Sequence, residues 1–519
     1  MAPPIPVIPD NAPFNAAQRA WLNGFLSGLY GNTGSPAPGV AAGAAPAPAE
    51  EEDFPWHDPA LELPERLALA EGKPLPRRLM AAMAQLDCGQ CGYLCQTYAE
   101  AIAEGRETTL SLCVPGAKPT SRMLKQILAE APPPATAAAA APAPAQPAAR
   151  LAGRPVRVRS AEKLTAAGSA KDVRHVVIDL AGSGLTYEPG DSLNIAAPAD
   201  PGLVEACIAA LGRTGEEPVP CPDGVERPLR AALAAHVDAA RPLDRTTDLL
   251  AMAATDRTEA QALRRLTDGD DGAEPDRADL LDLLTAFPSA RPPLADLVRS
   301  LPALRPRLYS IASSQRAAPG EVHLCVSVVR ETLRGRLRHG VASAFLADRA
   351  VDFGEVQASI QVSHFRLPAD PTTPVIMCGP GTGIAPFRAF LQERAALGYK
   401  GRAWLFFGDQ HAATDFLYEP ELRAWLADGT LSRLDTAFSR DQVRKVYVQD
   451  RMREQASDLW RWLQDGAHFY VCGDAARMAK DVDAMLRKIA MTEGRLDETG
   501  ARDWIVALAR QGRYLRDVY

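Results

Sequence analysis

With 519 residues, a net charge of -7, 47% apolar and 23% charged residues, the chain has the length for three or four units of ~100–200 residues each, every one able to bury a core. No Lys/Arg cluster is interleaved with aromatics, which sets nucleic acid aside as a partner, and no apolar run reaches the ~18 residues that span a bilayer. Met1 to Asn11 has neither a basic segment nor an apolar one of the signal-peptide kind, so the expectation is a soluble, cytoplasmic protein with no membrane partner.

In chain order, residues 1–34 hold a short amphipathic helix. Asn15 can cap it, Gln18 stands at its third position, and Trp21, Leu22, Phe25, Leu26 and Leu29 share one face. So short a helix cannot bury that face alone; it packs on the next domain or docks onto a partner. Residues 35–50 and 131–150 are Ala/Pro-rich linkers without apolar periodicity. Between them, residues 51–130 carry two expected helices and four of the nine cysteines, Cys88, Cys91, Cys95 and Cys113. That grouping suits a metal or cluster site better than a disulfide framework. Four thiolates are the ligand set of a cubane iron-sulfur cluster, around which Gly89 and Gly92 let the backbone curl; structural zinc is the alternative.

Residues 151–370 read as β-rich, with strands at Val156 to Ser160, Val173 to Leu180, Ser192 to Ile195, Val322 to Val329 and Val356 to Phe365. Their spacing suggests a small antiparallel barrel. Helical segments at Leu203 to Leu211, Glu259 to Leu266 and Ala278 to Phe287 interrupt it as an insertion over about 200–300. Residues 371–519 alternate short apolar strands (Val375 to Cys378, Ala403 to Phe407, Leu431 to Ala437, Ala467 to Val471) with helices, the pattern of a parallel sheet covered on both faces.

Two motifs carry chemistry. In Arg307-Leu308-Tyr309-Ser310 a cation suits a pyrophosphate, a flat ring can lie on a flavin, and a hydroxyl can bond the flavin nitrogen that accepts hydride. Gly340-Val341-Ala342-Ser343 adds a glycine and a capping Ser at a helix start, where N–H groups can receive phosphate. The second motif, Gly379-Pro380-Gly381-Thr382-Gly383, follows the strand Val375 to Cys378 and opens the helix Ile384 to Leu397. Strand, glycine turn and helix together form a dinucleotide site. Further on, Ser439, Arg440 and the run Lys445, Val446, Tyr447, Val448 and Gln449 follow a strand. Two cations, a hydroxyl and a stacking ring suit a ribose phosphate and favour NADPH over NADH; a solvated charged loop is the alternative.

From about Arg150 to Tyr519 the chain resembles the flavin and nicotinamide half of the NADPH-sulfite reductase flavoproteins, in the diflavin reductase group built on the ferredoxin-NADP reductase fold. The motifs above carry the resemblance, with Tyr470-Val471-Cys472-Gly473-Asp474 and Arg513 to Tyr519. It implies a β-barrel FAD domain with a helical insertion, then an α/β NADP domain. It further implies FAD contacts from Arg307 to Ser310, from Cys325, Val326 and Ser327, and from Gly340 to Ser343. NADPH contacts would come from Ser439, Arg440, Lys445 to Gln449 and Asp474. Ser310, Cys472 and Asp517 would form the hydride-transfer group, and Tyr519 would stack on the flavin until nicotinamide displaces it. Where the sulfite reductase pattern has a second flavin-contacting tyrosine this chain has Glu331, and that contact is not carried over.

No phosphate loop of a flavodoxin-like domain is found in residues 1–150, so no FMN is expected. The stretch Cys88 to Tyr93 with Cys95, Tyr98 to Ile102 and Cys113 to Gly116 instead resembles the 4Fe-4S domain of electron-transfer subunits of membrane redox complexes, although those usually have four residues between the second and third cysteines and this chain has three. The implied partner is a sirohaem sulfite reductase subunit, with a nitrate or nitrite reductase as the alternative acceptor and a non-catalytic binding protein on the same fold as the reading from another class.

Overall fold

The fold divides around two sheets that meet at one cleft, and the reason for each sheet lies in its burial pattern. In the computed structural model the described residues are 54, 56, 57, 61–86, 93–113, 115–130, 153–268, 278–475 and 477–519. The helix expected in 1–34, both Ala/Pro linkers, Cys88 and Cys91 lie outside them.

Six strands form an antiparallel sheet: β1 (Arg154–Lys163), β2 (Val173–Asp179), β3 (Ser192–Ala196), β6 (Arg307–Ser310), β7 (Glu321–Ser327) and β10 (Glu355–Gln361). Their order is β6-β3-β10-β1-β2-β7, and a bridge from Ile311 to Leu324 joins the two edges into a barrel. Alternation drives it: Val176 and Ile178 of β2 point inward with Val156, Leu193, Leu324 and Val326. β10 stops at Gln361, short of the expected Phe365. The chain turns there because the Ser363 amide donates to Asp191 at 3.0 Å, and Phe365 leaves the barrel to pack with Phe387 and Phe390. A ribbon of β8 (Arg330–Leu333) and β9 (Arg336–His339) leads into the helix Val341–Asp348.

Between β3 and β6 the described residues of the insertion form six helices and a short ribbon, β4 (Pro218–Pro220) with β5 (Glu226–Pro228). Its helices share a core of their own, including Val204, Leu229, Leu250, Leu263, Leu283 and Leu297. Three of them, Leu229–Ala235, Asp244–Ala253 and Leu294–Ser300, are beyond those expected.

The second sheet is wholly parallel, in the order β13 (Arg433–Phe438), β12 (Ala403–Asp409), β11 (Val375–Cys378), β14 (His468–Gly473), β15 (Tyr514–Val518). Every residue of β11 and β12 is buried, as strands covered by helices on both faces require. Each large side chain so buried contributes roughly 1.5–3 kcal/mol. β15 was not expected from sequence; its register sets Cys472 opposite Asp517.

Among the described residues of 51–130, where two helices were expected, there are four: Leu63–Leu69, Leu75–Ala81, Cys95–Ala103 and Ala117–Glu130. Leu79, Met80, Tyr98 and Leu124 are buried among them, and Thr120 Oγ donates to the Ala82 carbonyl at 2.9 Å. The module touches the parallel-sheet domain through a Glu62–Lys480 ion pair and through Leu86, which packs against that domain's core. Among the described residues no helix is long and apolar enough to cross a membrane.

Candidate functional site

Strand β6 of the barrel and the ends of β14 and β15 meet in one cleft. Ser310 Oγ donates to Asp517 Oδ2 at 2.6 Å, and Cys472 Sγ lies 3.7 Å from the same oxygen. Burial pushes the Asp517 carboxyl up, opposed by these two donors. Burial also pushes the Cys472 thiol well up, and the neighbouring carboxylate adds to it, so at neutral pH the sulfur keeps its proton. The cluster is therefore a hydroxyl polarised by a carboxylate with a polarizable thiol beside it. A negative group held there favours positive charge developing on an adjacent ring.

Next to this cluster the glycine turn lines a cavity of about 230 Å³ with Lys171, Asp409, Gly473 and Tyr519. Gly381 has φ +58°, and a Cβ on Gly383 would lie 2.1 Å from the Cys472 carbonyl oxygen. A Cβ on Gly379 would lie 2.4 Å from the Gly383 oxygen. These clashes are why the turn is glycine: the chain passes too close to β14 for a side chain. Tyr519 is tied to β14 by its amide, which donates to the Gly473 carbonyl at 3.0 Å, and its hydroxyl meets Thr382 Oγ1 at 3.1 Å. The residue as a whole is 48% exposed, while burial pushes its hydroxyl well up.

Lys171 and Asp409 were missed in the sequence. Lys171 reaches from the barrel to the Asp409 carboxylate, whose pKa burial raises and the ammonium lowers again. Asp409 ends a parallel strand, the position where α/β sheets place ligand-binding groups, and could have been suspected on that ground. Lys171 left no local signal.

The other expected residues fall in three groups. Arg307 is half-buried and already engaged, with Asp238 at 3.3 Å and the Arg305 carbonyl at 2.7 Å; Leu308 and Tyr309 pair with Asn194 and Leu193 of β3. Cys325 and Val326 point into cores, and burial raises the Cys325 thiol to about 12, while Ser327 is exposed. Gly340, not Ser343, is the N-cap of Val341–Asp348. Ser343 lies inside the helix, buried with Ala342, and its Oγ accepts from the Val329 amide at 3.1 Å; a capping Ser there is corrected accordingly. A Cβ on Gly340 would come within 2.6 Å of that Oγ.

In the segment expected to take the adenosine, the Ser439 amide donates to the Asp409 carbonyl at 2.9 Å, and Arg440, Lys445 and Tyr447 are exposed. Neither cation has a carboxylate partner among the described residues. Val446 and Val448 pack into the sheet's core, which leaves only their backbone for a nucleotide. Gln449 donates to Asp481 at 3.1 Å. Asp474 accepts from the Arg477 and Met478 amides at 3.2 and 3.4 Å, ahead of the helix Met478–Thr492. Of the four expected cysteine ligands, Cys95 and Cys113 are among the described residues, and both are buried. A Cβ on Gly116 would lie 2.1 Å from Thr120 Oγ1 and 3.0 Å from Cys113 Sγ, so the chain passes too close to both for a side chain.

A glycine turn against a parallel sheet, facing a barrel strand across a hydroxyl-carboxylate-thiol cluster, is the architecture of paired FAD- and NAD-binding domains of the ferredoxin-NADP reductase type. Family models match accordingly: "FAD binding domain" over residues 152–345, "Oxidoreductase NAD-binding domain" over 363–484, and "Putative Fe-S cluster" over 83–115. Over its FAD- and NAD-binding region the chain is a homologue of proteins named sulfite reductase [NADPH] flavoprotein alpha-component. It is 44% identical over 369 residues to that of Klebsiella pneumoniae and 46% identical over 374 residues to that of Salmonella typhimurium. In both comparisons the match covers 69% of this chain and 59% of the relative, so the chain spans about three fifths of the length of the curated relatives it matches.

Proposed function

We propose that the protein is a cytoplasmic NADPH-dependent electron-transfer flavoprotein that feeds a sulfite reductase haemoprotein subunit, with FAD and a 4Fe-4S cluster in series and no FMN. The observation that carries this reading is the Ser310–Asp517–Cys472 cluster, assembled from the flavin motif strand and the two nicotinamide-side strands. The names of the relatives support the acceptor. The domains proposed are 51–130 for the cluster, 151–370 for FAD and 371–519 for NADP.

Bound FAD would supply two-electron hydride chemistry, and an iron-sulfur cluster one-electron transfer. The chain's own residues prepare that exchange. Arg440 and Lys445 hold the ribose phosphate, and the turn from Gly379 to Gly383 receives the pyrophosphate on backbone N–H groups. Tyr519 covers the flavin position until nicotinamide takes its place, and Ser310 and Asp517 orient the ring and favour the charge it gains. Cys88, Cys91, Cys95 and Cys113 would hold the cluster.

The test is composition followed by dissection. Protein purified without oxygen should contain FAD, iron and acid-labile sulfide but no FMN; zinc in place of iron defeats the cluster assignment. A fragment starting near Arg150 should oxidise NADPH with ferricyanide yet fail to support sulfide formation by a sirohaem subunit, which the full chain should restore.

A further inference from the structure

A second cavity, of about 520 Å³, opens at the junction of the two domains and shares no lining residue with the first. Pro189 and Gln315 of the barrel, Leu367 and Pro368 of the segment crossing between domains, and Leu397 and Tyr399 beyond the helix Ala385–Ala396 all contribute to its wall. Three arginines line it as well: Arg316, Arg366 and Arg394. Two are balanced. Arg316 Nε donates to Glu393 at 2.7 Å, and Arg366 pairs with Asp191 at 2.5 Å and Glu188 at 3.3 Å.

Arg394 is different. It is 3% exposed, its hydrogen bond goes to the Pro371 carbonyl at 3.3 Å, its Nε has no acceptor, and no carboxylate of the described residues is within ion-pair reach. Burial lowers its pKa and no neighbouring charge opposes that. A buried guanidinium without a counter-ion is costly, because lost hydration is not replaced. A ligand that supplies the missing charge would repay that cost and gain the apolar wall besides.

We propose that this cavity is a binding site for a small organic anion, whose carboxylate or phosphate pairs with Arg394 while its apolar body rests on Leu367, Leu397 and Tyr399. The site is separate from the cofactor clefts and bridges the barrel and the parallel-sheet domain, so an occupant ties the two together.

The experiment uses the full chain with its cofactors, titrated with benzoate, phenyl phosphate or inorganic phosphate, each against chloride at matched ionic strength, by calorimetry and thermal melting. Saturable binding of benzoate or phenyl phosphate beyond the chloride effect is expected, and the stronger of the two identifies the head group. Binding of inorganic phosphate alone, or no binding beyond chloride, overturns the proposal of an organic ligand. Arg394→Met should lose at least about tenfold in affinity, the factor carried by about 1.4 kcal/mol. Without ligand it should melt no lower than the unmodified protein, since an unpaired buried charge is replaced by an apolar chain of similar length. A lower melting point would instead make Arg394 a structural tie to Pro371. Ala369→Trp, on the exposed rim, should obstruct the cavity with Arg394 intact and leave NADPH-ferricyanide activity unchanged; organic-anion binding that persists at full affinity in either variant overturns the assignment.

Discussion

Asp517→Asn isolates the charge in the cleft with almost no change of shape. Asn retains an oxygen that can accept from Ser310 Oγ, now 2.6 Å from Asp517 Oδ2, but the bond loses its charge assistance. Hydrogen bonds to charged groups contribute about 1.5–3 kcal/mol, so flavin reduction should slow by about 10- to 150-fold. The loss should fall on the rate of hydride transfer and spare NADPH affinity, because the positive charge on nicotinamide develops only as hydride leaves. Anaerobic stopped-flow bleaching of the flavin by NADPH, repeated with NADPH deuterated at the transferred position, reads this directly, and the isotope effect should grow in the variant. Burial raises the Asp517 pKa, so the unmodified rate should fall on acidification at a higher pH than for an ordinary carboxylate, and Asn should remove that limb. For stability the sign is opposite: a raised folded-state pKa means stability present below the unfolded pKa is lost as pH rises through the folded one, so at neutral pH Asn should not lower the melting point. A reduction rate within about twofold of the unmodified protein, or an acid limb that survives the substitution, would refute the role given to Asp517.

Deleting Tyr519 should weaken the preference for NADPH over NADH, measured as a ratio of kcat/KM values, because the ring no longer has to be displaced with binding energy from the ribose phosphate; an unchanged ratio would mean the ring does not cover the flavin. Gly383→Ala places a Cβ 2.1 Å from the Cys472 carbonyl oxygen and should cost about 1–3 kcal/mol by overpacking, seen in denaturant unfolding, with cofactor binding impaired as β14 shifts. Burial holds His175 down to about 3, well below its ordinary value, and lowers His323 too. The unfolded chain therefore binds protons there that the folded chain does not. Stability should fall as pH drops from about 6.5 toward 3, by up to about 1.4 kcal/mol per pH unit for His175, and His175→Gln should show a shallower fall; an identical slope would place the acid sensitivity elsewhere.

The two sheets were legible because their signals are local. Period-two alternation marked β2 and β7, continuous apolar runs marked β11 and β12, and the turn from Gly379 to Gly383 joined a strand to a helix within one stretch. Short elements without that periodicity were not legible: the Ala-rich helix Leu229–Ala235, and two of the four described helices around the cysteines, exist because neighbours bury them. The residue types of the reacting cluster could be picked out by resemblance, but their meeting could not. Ser310 and Asp517 are 207 positions apart, and only the pairing of β15 with β14 puts Asp517 beside Cys472. Lys171 meets Asp409 for a similar reason, across a domain boundary that leaves no periodic trace. Side-chain direction was likewise decided late: Val446 and Val448 turn into the core and Ser343 into its helix. Arg394 reads in the chain as one more helix cation; its isolation from any carboxylate is a property of packing, because burial and pairing are set by what the rest of the fold brings within a few ångströms.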